Sequence, residues 1–433
     1  MKPLFKHIVI RILAWEAKKI LQKYSPEIIA VTGSVGKTSA KDAIFEVLKG
    51  RGGVRKSEKS YNSELGMPLT VIGKESAWYS FFGWASILFA GLSLILFRDK
   101  AYPTTLVMEA GADKPNDISG FITAAKPDIA VVTAIGEVPV HVEFFSGPEA
   151  VAREKAKLLQ PLTSTDTAVL NYDDAAVLDM HEKTRAHVIT FGFGEDAHVR
   201  AEHYHIMYAK EGTKERPEGI AFKVAYKGKN IPVRIFGAFG KQQVYAALAA
   251  ISVGIARDMN LIDIVSSIQH YSAPPGRLKL IRGEKDSWIL DDTYNASPHA
   301  MHAALEVLQD IPAERKIAVL GDMLELGKFT EHAHRAVARH LKGVSILMTV
   351  GRRAAFIADE ARKISFSPEH IFEFDRSVDA ARILERELRQ GDLVLIKGSQ
   401  SMRMERAVEE IMAEPKKAEK LLVRQSKIWK NKE

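Results

Sequence analysis

Cysteine is absent from this chain. That excludes disulfide bonds and thiolate metal centres, and it points to a reducing, cytosolic setting. A cleavable signal peptide is lacking too. Residues 4–23 place Phe5, Ile8, Ile12, Trp15 and Ile20 at roughly helical spacing with Lys and Arg between them, and no small-residue cleavage site follows. They read as a basic amphipathic helix over 1–24. No RNA-binding or helix-turn-helix signature accompanies the net charge of +7, so nucleic acid is not an expected partner. Internal repeats and low-complexity tracts are missing as well. What remains is a globular composition, 46% hydrophobic and 27% charged, over 433 residues, which suits two or three domains.

The basic residues gather at the two ends. Lys2, Lys6, Arg11, Lys18, Lys19 and Lys23 lie at one, and Lys416, Lys417, Lys420, Arg424, Lys427, Lys430 and Lys432 at the other. A solvated face and a basic tail over 414–433 would explain them. So would attraction to an anionic lipid surface. Residues 77–97 carry no charge and are long enough to suggest a membrane span. A single crossing would put Lys37 and Glu109 on opposite sides of a bilayer, although both are expected in one site. The segment is therefore expected either to dock on the inner membrane leaflet without crossing it or to pack as a core helix.

Residues 31–39 read Val-Thr-Gly-Ser-Val-Gly-Lys-Thr-Ser, after the apolar run Ile28 to Val31. This is a short strand, a glycine turn and a helix start near Lys37. Gly33 and Gly36 let backbone N–H groups turn toward phosphate oxygens. The helix N-terminus adds its dipole. Lys37 can reach the β and γ phosphates, and the Thr38 hydroxyl can ligate Mg²⁺. The loop is a shortened P-loop, because Val31 stands where the general pattern has its first glycine.

Further along, strands and helices alternate. Buried strands are expected at 105–109, 129–133 and 167–170, with helices at 148–160 and 240–257 and β-rich sequence between 187 and 236. Pro274-Pro275-Gly276 punctuates the chain. A second series follows, with strands at 288–291, 316–320, 346–350 and 393–396 and a helix at 298–309. The expected fold is α/β: a P-loop-type central ATPase domain with a mostly parallel sheet over 25–276, carrying the apolar insert 77–97, then a C-terminal Rossmann-like α/β domain over 277–413.

Taken in order, several segments resemble the Mur ligases, the ATP-dependent amide-bond ligases of peptidoglycan synthesis. They are the Gly33–Ser39 loop, Tyr61-Asn-Ser-Glu-Leu-Gly-Met-Pro68, Glu109-Ala-Gly-Ala112, Gly276-Arg277-Leu278 and Asp291-Asp-Thr-Tyr-Asn-Ala-Ser-Pro298. Val319-Leu-Gly-Asp-Met-Leu-Glu-Leu-Gly327, Leu395-Ile-Lys-Gly-Ser399 and Met402-Arg-Met-Glu-Arg406 complete the set. The resemblance implies that Gly33, Ser34, Val35, Gly36, Lys37, Thr38 and Ser39 cradle the phosphates of ATP. It implies Mg²⁺ at Thr38, Glu109 and His141. It aligns Lys155 with a lysine that CO₂ carbamylates to make a further Mg²⁺ ligand. Lys37, His141 and Lys155 then carry the catalysis. Arg277, Asp292 and Asn295 are expected at the nucleotide, and Asp322, Lys397 and Ser399 at the incoming amine. The implied substrates are a UDP-muropeptide and a D-Ala-D-Ala-type amine. The same chemistry on a lipid-linked or modified carboxylate is an alternative, and an ATP-binding homologue without turnover is another.

The chain departs from the family's pattern in three places. The family's UDP-binding domain normally precedes the P-loop, yet only about thirty residues precede Gly33 here. Its Gly-x-His-Asn reads Gly240-Lys-Gln242-Gln243, which is expected to alter a nucleotide-side contact. Before His141 the stretch is longer than usual, and Ala134 replaces an Asn.

Overall fold

A computed structural model describes residues 3–57, 65–78, 80–211 and 214–430. Lys2, Lys432, Tyr79 and the Tyr61–Glu64 part of the resemblance lie outside them, as do the side chains of Phe5 and Lys6.

The first unit is built on a nine-stranded sheet. Its strands are β1 (Glu27–Thr32), β2 (Val54–Lys56), β3 (Thr105–Glu109), β4 (Ile129–Val132), β5 (Thr167–Asn171), β6 (His187–Gly192), β7 (Val199–Glu211), β8 (Lys214–Tyr226) and β9 (Lys229–Phe236). Their order is β2-β3-β1-β4-β5-β6-β7-β8-β9. Every pair from β2 to β7 is parallel, and β7-β8-β9 continue as antiparallel hairpins. The central strands are buried along their whole length because helices cover both faces. The hairpins alternate instead, as in the exposed and buried residues of β9. The β-rich composition of 187–236 therefore comes from a half-exposed extension of this sheet.

On one face lie α2 (Lys37–Leu48) and the alanine-rich α8 (Lys241–Ala256), with α9 (Leu261–Ile268) beside them. The other face, near β1 and β3, is covered by α1 (Pro3–Tyr24), α3 (Gly66–Ile72) and α4 (Phe81–Leu96). In α1 the buried residues Val9, Leu13, Ala17 and Ile20 follow helical spacing. They pack on Ile28, Leu106 and Met108. From α4, Trp84 and Ile87 join the same cluster.

The seam between α1 and α4 is tight. A Cβ on Gly91 would stand 2.2 Å from Oε2 of Glu16. Burial pushes the Glu16 carboxyl up to about 7. At the other end of the seam, the Lys23 ammonium donates to the carbonyls of Leu94, Ile95 and Phe97 at 3.0, 2.9 and 2.8 Å. Only half of the uncharged segment is core. Phe81, Phe82, Phe89, Leu92, Leu96 and Phe97 are exposed. Among the described residues no helix is long and apolar enough to cross a membrane.

Three more helices position the site: α5 (Asp117–Ala124), α6 (Pro148–Ala156) and α7 (Ala175–Leu178). The second unit starts after Gly276. Its six strands are β10 (Lys279–Arg282), β11 (Trp288–Asp292), β12 (Arg315–Gly321), β13 (Ile346–Val350), β14 (Ile371–Phe374) and β15 (Asp392–Lys397). They run in the order β10-β11-β15-β12-β13-β14, parallel except for β10. Ser297 caps α10 (Pro298–Asp310) by accepting from the amide of Ala300, with Pro298 in the first turn. The last basic segment is not wholly solvated. The side chain of Arg424 is largely covered, donates to the carbonyls of Thr293 and Tyr294, and pairs with Glu405.

Candidate active site

The cleft between the two units collects the ends of β1, β3 and β4 from one side and the loop after β11 from the other. Ser34, Gly36, Lys37, Thr38, Glu109 and His141 line it, facing Arg277, Tyr294, Asn295 and Ala296.

The P-loop is held by its neighbour strand. The amides of Ser34 and Val35 both donate to the carbonyl of Ala134, at 2.6 and 3.1 Å. The Thr133 hydroxyl donates to the carbonyl of Val35 at 2.6 Å. Gly33 has φ +145°, and a Cβ there would stand 2.0 Å from that hydroxyl oxygen. Gly36 has φ +85° and precedes α2 with no side-chain cap. The two loop amides are therefore committed to Ala134, and the first-turn amides of α2 are the donors left for an anion. Position 134 acts through its backbone, which is why an alanine serves there.

Lys37 donates from Nζ to the carbonyl of Gly33 at 2.8 Å. Burial lowers its pKa, opposed by Glu109 and Asp113, while the charge of Arg277 lowers it further. The Thr38 hydroxyl donates to Oε2 of Glu109 at 3.0 Å. Mg²⁺ is commonly held by one or two such protein oxygens, with water and substrate phosphates completing the shell. Among the described residues no three His, Asp or Glu side chains converge as a metal cage. The Thr38–Glu109 pair suits Mg²⁺ shared with a phosphate. The Ser34 hydroxyl oxygen and the Arg277 Nε are buried without a hydrogen-bond partner. Two orphaned polar atoms on opposite walls of the cleft fit a polar ligand between them.

His141 has φ +66° and lies between two carboxylates. Its Nε2 is 3.3 Å from Oδ1 of Asp113, and its Nδ1 is 2.5 Å from Oε2 of Glu325, which belongs to the second unit. Burial raises the pKa of Asp113, opposed by His141 and Lys37. Lys155 sits on α6, fully buried. Burial lowers its pKa to about 7, with a further push from Lys37 and opposition from Asp113, Glu109 and Glu154. It shares the electrostatic neighbourhood of the P-loop, and Glu154 beside it on α6 is buried too, while Arg153 is exposed.

From the second unit, the Arg277 guanidinium lies 4.0 Å over the ring of Tyr294. Asn295 lines the cleft, and its Oδ1 accepts from the amide of Ala296 at 2.9 Å. Asp292 is used internally. Its Oδ2 pairs with Nζ of Lys397 at 2.6 Å, and its Oδ1 accepts from the amide of Leu278 at 3.2 Å. Lys397 also donates to the carbonyl of Asn295 at 2.9 Å. Asp322 accepts from the amides of Arg353 and Ala354 at 2.9 and 2.7 Å, and Ser399 accepts from the amide of Leu324 at 2.9 Å. Asp292, Lys397, Asp322 and Ser399 thus shape loops, and Arg277 and Asn295 face the cleft.

Several contributors escape a reading of local motifs. Gln243 donates to the carbonyl of Arg277 at 3.0 Å and accepts from the Tyr271 hydroxyl at 2.8 Å. Gln242 meets His299 at 2.9 Å. The departure at 242–243 therefore supplies contacts across the hinge. Asp174 accepts from the amides of Ile135 and Gly136 at 2.7 and 2.9 Å, which fixes the loop running to His141. Glu325 lies inside the 319–327 segment of the family resemblance. Asp113 directly follows Ala112 of the Glu109 segment.

Comparison with known families gives two matches: the Mur ligase middle domain over residues 90–254, and the "Mur ligase, glutamate ligase domain" over 276–400. The UDP-N-acetylmuramoyl-tripeptide–D-alanyl-D-alanine ligase of Bacillus subtilis (strain 168) is 28% identical over 403 residues, covering 92% of this chain and 79% of that protein. The protein of that name from Escherichia coli (strain K12) is 26% identical over 395 residues, covering 90% and 77%. Among solved structures, a MurF ligase from Thermotoga maritima in complex with ADP superposes with a TM-score of 0.74 at 26% identity, covering 95% of this chain and 84% of that one.

Proposed function

The chain belongs to the Mur ligase family, and from that premise we propose that it adds D-alanyl-D-alanine to a UDP-N-acetylmuramoyl-tripeptide at the expense of ATP. The observation that carries the reading is the cleft itself: Lys37 and the Thr38–Glu109 pair on one wall, Arg277 and Asn295 on the other. The relatives named for this reaction supply the substrate class.

A carboxylate is a poor acyl donor because it would have to expel oxide. ATP with Mg²⁺ supplies a phosphoryl group that converts it to an acyl phosphate, so that an amine can displace phosphate and leave an amide. The chain's own part is positioning and charge. Lys37 and the first-turn amides of α2 neutralise phosphate oxygens. Thr38 and Glu109 would hold Mg²⁺, with His141 at the rim. Lys155, whose lowered pKa leaves much of its amine neutral near pH 7, would capture CO₂ as a carbamate: the neutral amine adds to CO₂ and releases one proton, leaving a buried carboxylate that could help hold the metal. Asp292 and Lys397 set the loop bearing Asn295 instead of touching the nucleotide. Closure of the two units excludes the water that would hydrolyse the acyl phosphate.

The test is purified protein with ATP, Mg²⁺, a panel of UDP-muropeptides and D-Ala-D-Ala, following phosphate release and product mass. Release coupled to a product heavier by the dipeptide is expected. No coupled product with any tripeptide donor would overturn the reading. We place the enzyme in the cytoplasm, peripheral to the inner face of the plasma membrane. The apolar face of α1 and α4 supports that placement, and it favours a lipid-linked muropeptide as the second donor to test.

A further inference from the structure

We propose that α1 and α4 together form a docking surface for an anionic lipid bilayer. This deepens the placement at the inner leaflet proposed above and does not rest on the catalytic reading.

The two helices are unlike ordinary surface helices. A helix lying on a soluble protein turns a polar face to water. The outer face of α4 instead presents Phe82, Phe89, Leu92 and Leu96, at spacings of seven, three and four residues, and α4 contains no charged residue. Beside it, α1 presents Ile8, Ile12 and Trp15. Apolar patches of this kind on a soluble chain mark an interaction surface. At 16 residues α4 is about 24 Å long, too short for a ~30 Å hydrocarbon core. Its inner side is committed to the protein through Trp84 and Ile87. The geometry suits a helix lying in the interface.

Charge selects the partner. Glu16 is the single acidic residue of α1, and it is turned inward against Gly91. The charged residues exposed on α1 are therefore all cations: Arg11, Lys18 and Lys19 are exposed and form no ion pair among the described residues. Arg98 and Lys100 are exposed just beyond α4. An apolar stripe flanked by unpaired cations complements anionic headgroups above acyl chains. A protein partner would have to supply an acidic rim around an apolar centre, and nothing in the structure calls for one.

The end of α4 is also prepared for a dry setting. Water ordinarily satisfies the last carbonyls of an exposed helix. Here Lys23 donates to those of Leu94, Ile95 and Phe97, and the Tyr24 hydroxyl lies 3.1 Å from that of Phe97. A helix terminus satisfied within the protein can enter a headgroup layer without stranding its carbonyls.

The experiment is flotation of the full-length protein with vesicles of phosphatidylcholine alone and with added phosphatidylglycerol, at low and high salt. Two variants accompany it: Phe82→Ser with Phe89→Ser, and Arg11→Glu with Lys18→Glu and Lys19→Glu. Phe82 and Phe89 are 84% and 72% exposed, so their loss leaves the core intact, which melting temperature checks. The native chain is expected to float with the anionic vesicles, to be released by salt, and to lose about tenfold or more of its binding in either variant. ADP binding in solution is expected to match the native chain in both, so failure of the ligase reading would show separately. The proposal is overturned if the native chain stays unbound on anionic vesicles at low salt. It is overturned equally if neutral vesicles bind it as well, or if it forms a dimer that Phe82→Ser with Phe89→Ser dissociates while vesicles leave it untouched.

Discussion

His141 of the first unit and Glu325 of the second meet at 2.5 Å across the cleft, between ring Nδ1 and carboxylate Oε2. The same two segments are joined by the amide of Glu143 donating to the carbonyl of Glu325 at 3.3 Å. Contact with His141 holds the Glu325 carboxyl below its ordinary pKa. The pair ties domain closure to a residue expected at the metal. Glu325→Ala should slow ligation by about tenfold or more, since misplacement of reacting groups by an ångström costs up to ~10²-fold. ADP affinity, set chiefly by the P-loop, should change far less. Turnover and ADP titration on the same preparation check this, and equal losses in both would show that the contact does not serve closure.

Lys37→Ala should cost about 10²–10³ in rate, the usual effect of removing one preorganised contact to developing charge. Steady-state phosphate release measures it. Near-native turnover would remove Lys37 from the catalytic set.

Lys155→Ala should be inactive and partly rescued by short carboxylates. Its pKa of about 7 adds a pH signature. Carbamate formation needs the neutral amine, whose fraction falls about tenfold per pH unit below that value. Removing CO₂ should therefore inactivate the enzyme faster at pH 6 than at pH 8. Stability follows the opposite sense from a paired lysine. The native pKa lies below the unfolded one, so below about 7 both states are protonated and the native state bears the full cost of a buried ammonium. Between about 7 and 10.5 the unfolded chain holds a proton that the native chain has lost, so stability from this group rises with pH. Thermal melts of CO₂-free protein across that window should show the rise, and Lys155→Met should flatten it.

Breaking the buried Asp292–Lys397 pair should be costly. Lys397→Ala leaves Asp292 uncompensated, and such truncations cost about 3–5 kcal/mol. Replacing both partners with apolar residues should recover much of that. Urea unfolding of the single and double variants decides it, and equal losses would mean that the charge of Asp292 is satisfied elsewhere.

The parts of the fold that were legible are those written in contiguous residues. β3 and β13 fall where their apolar runs predicted, at 105–109 and 346–350. The P-loop announces itself because its glycines, lysine and threonine are adjacent in the chain. The illegible parts depend on strand order. Asp292 and Lys397 are 105 residues apart, and the family resemblance implied a ligand contact for each. Only the pairing of β11 with β15 shows that they neutralise each other. Residues 77–97 offered two readings, membrane docking or core packing: Trp84 and Ile87 are core, while Phe82, Phe89, Leu92 and Leu96 are left exposed.

The guanidinium of Arg424 holds the carbonyls of Thr293 and Tyr294 and meets Glu405 at 2.8 Å, beside the loop that presents Asn295. This has a consequence for synthesis, since domains form in order as the chain emerges. A nascent chain that has exposed its whole P-loop still lacks the clamp that shapes the opposite wall of the cleft. The wall that carries Asn295 gains this clamp only once Arg424 has been made, 130 residues after Tyr294, so the two walls of the cleft mature at different moments of synthesis.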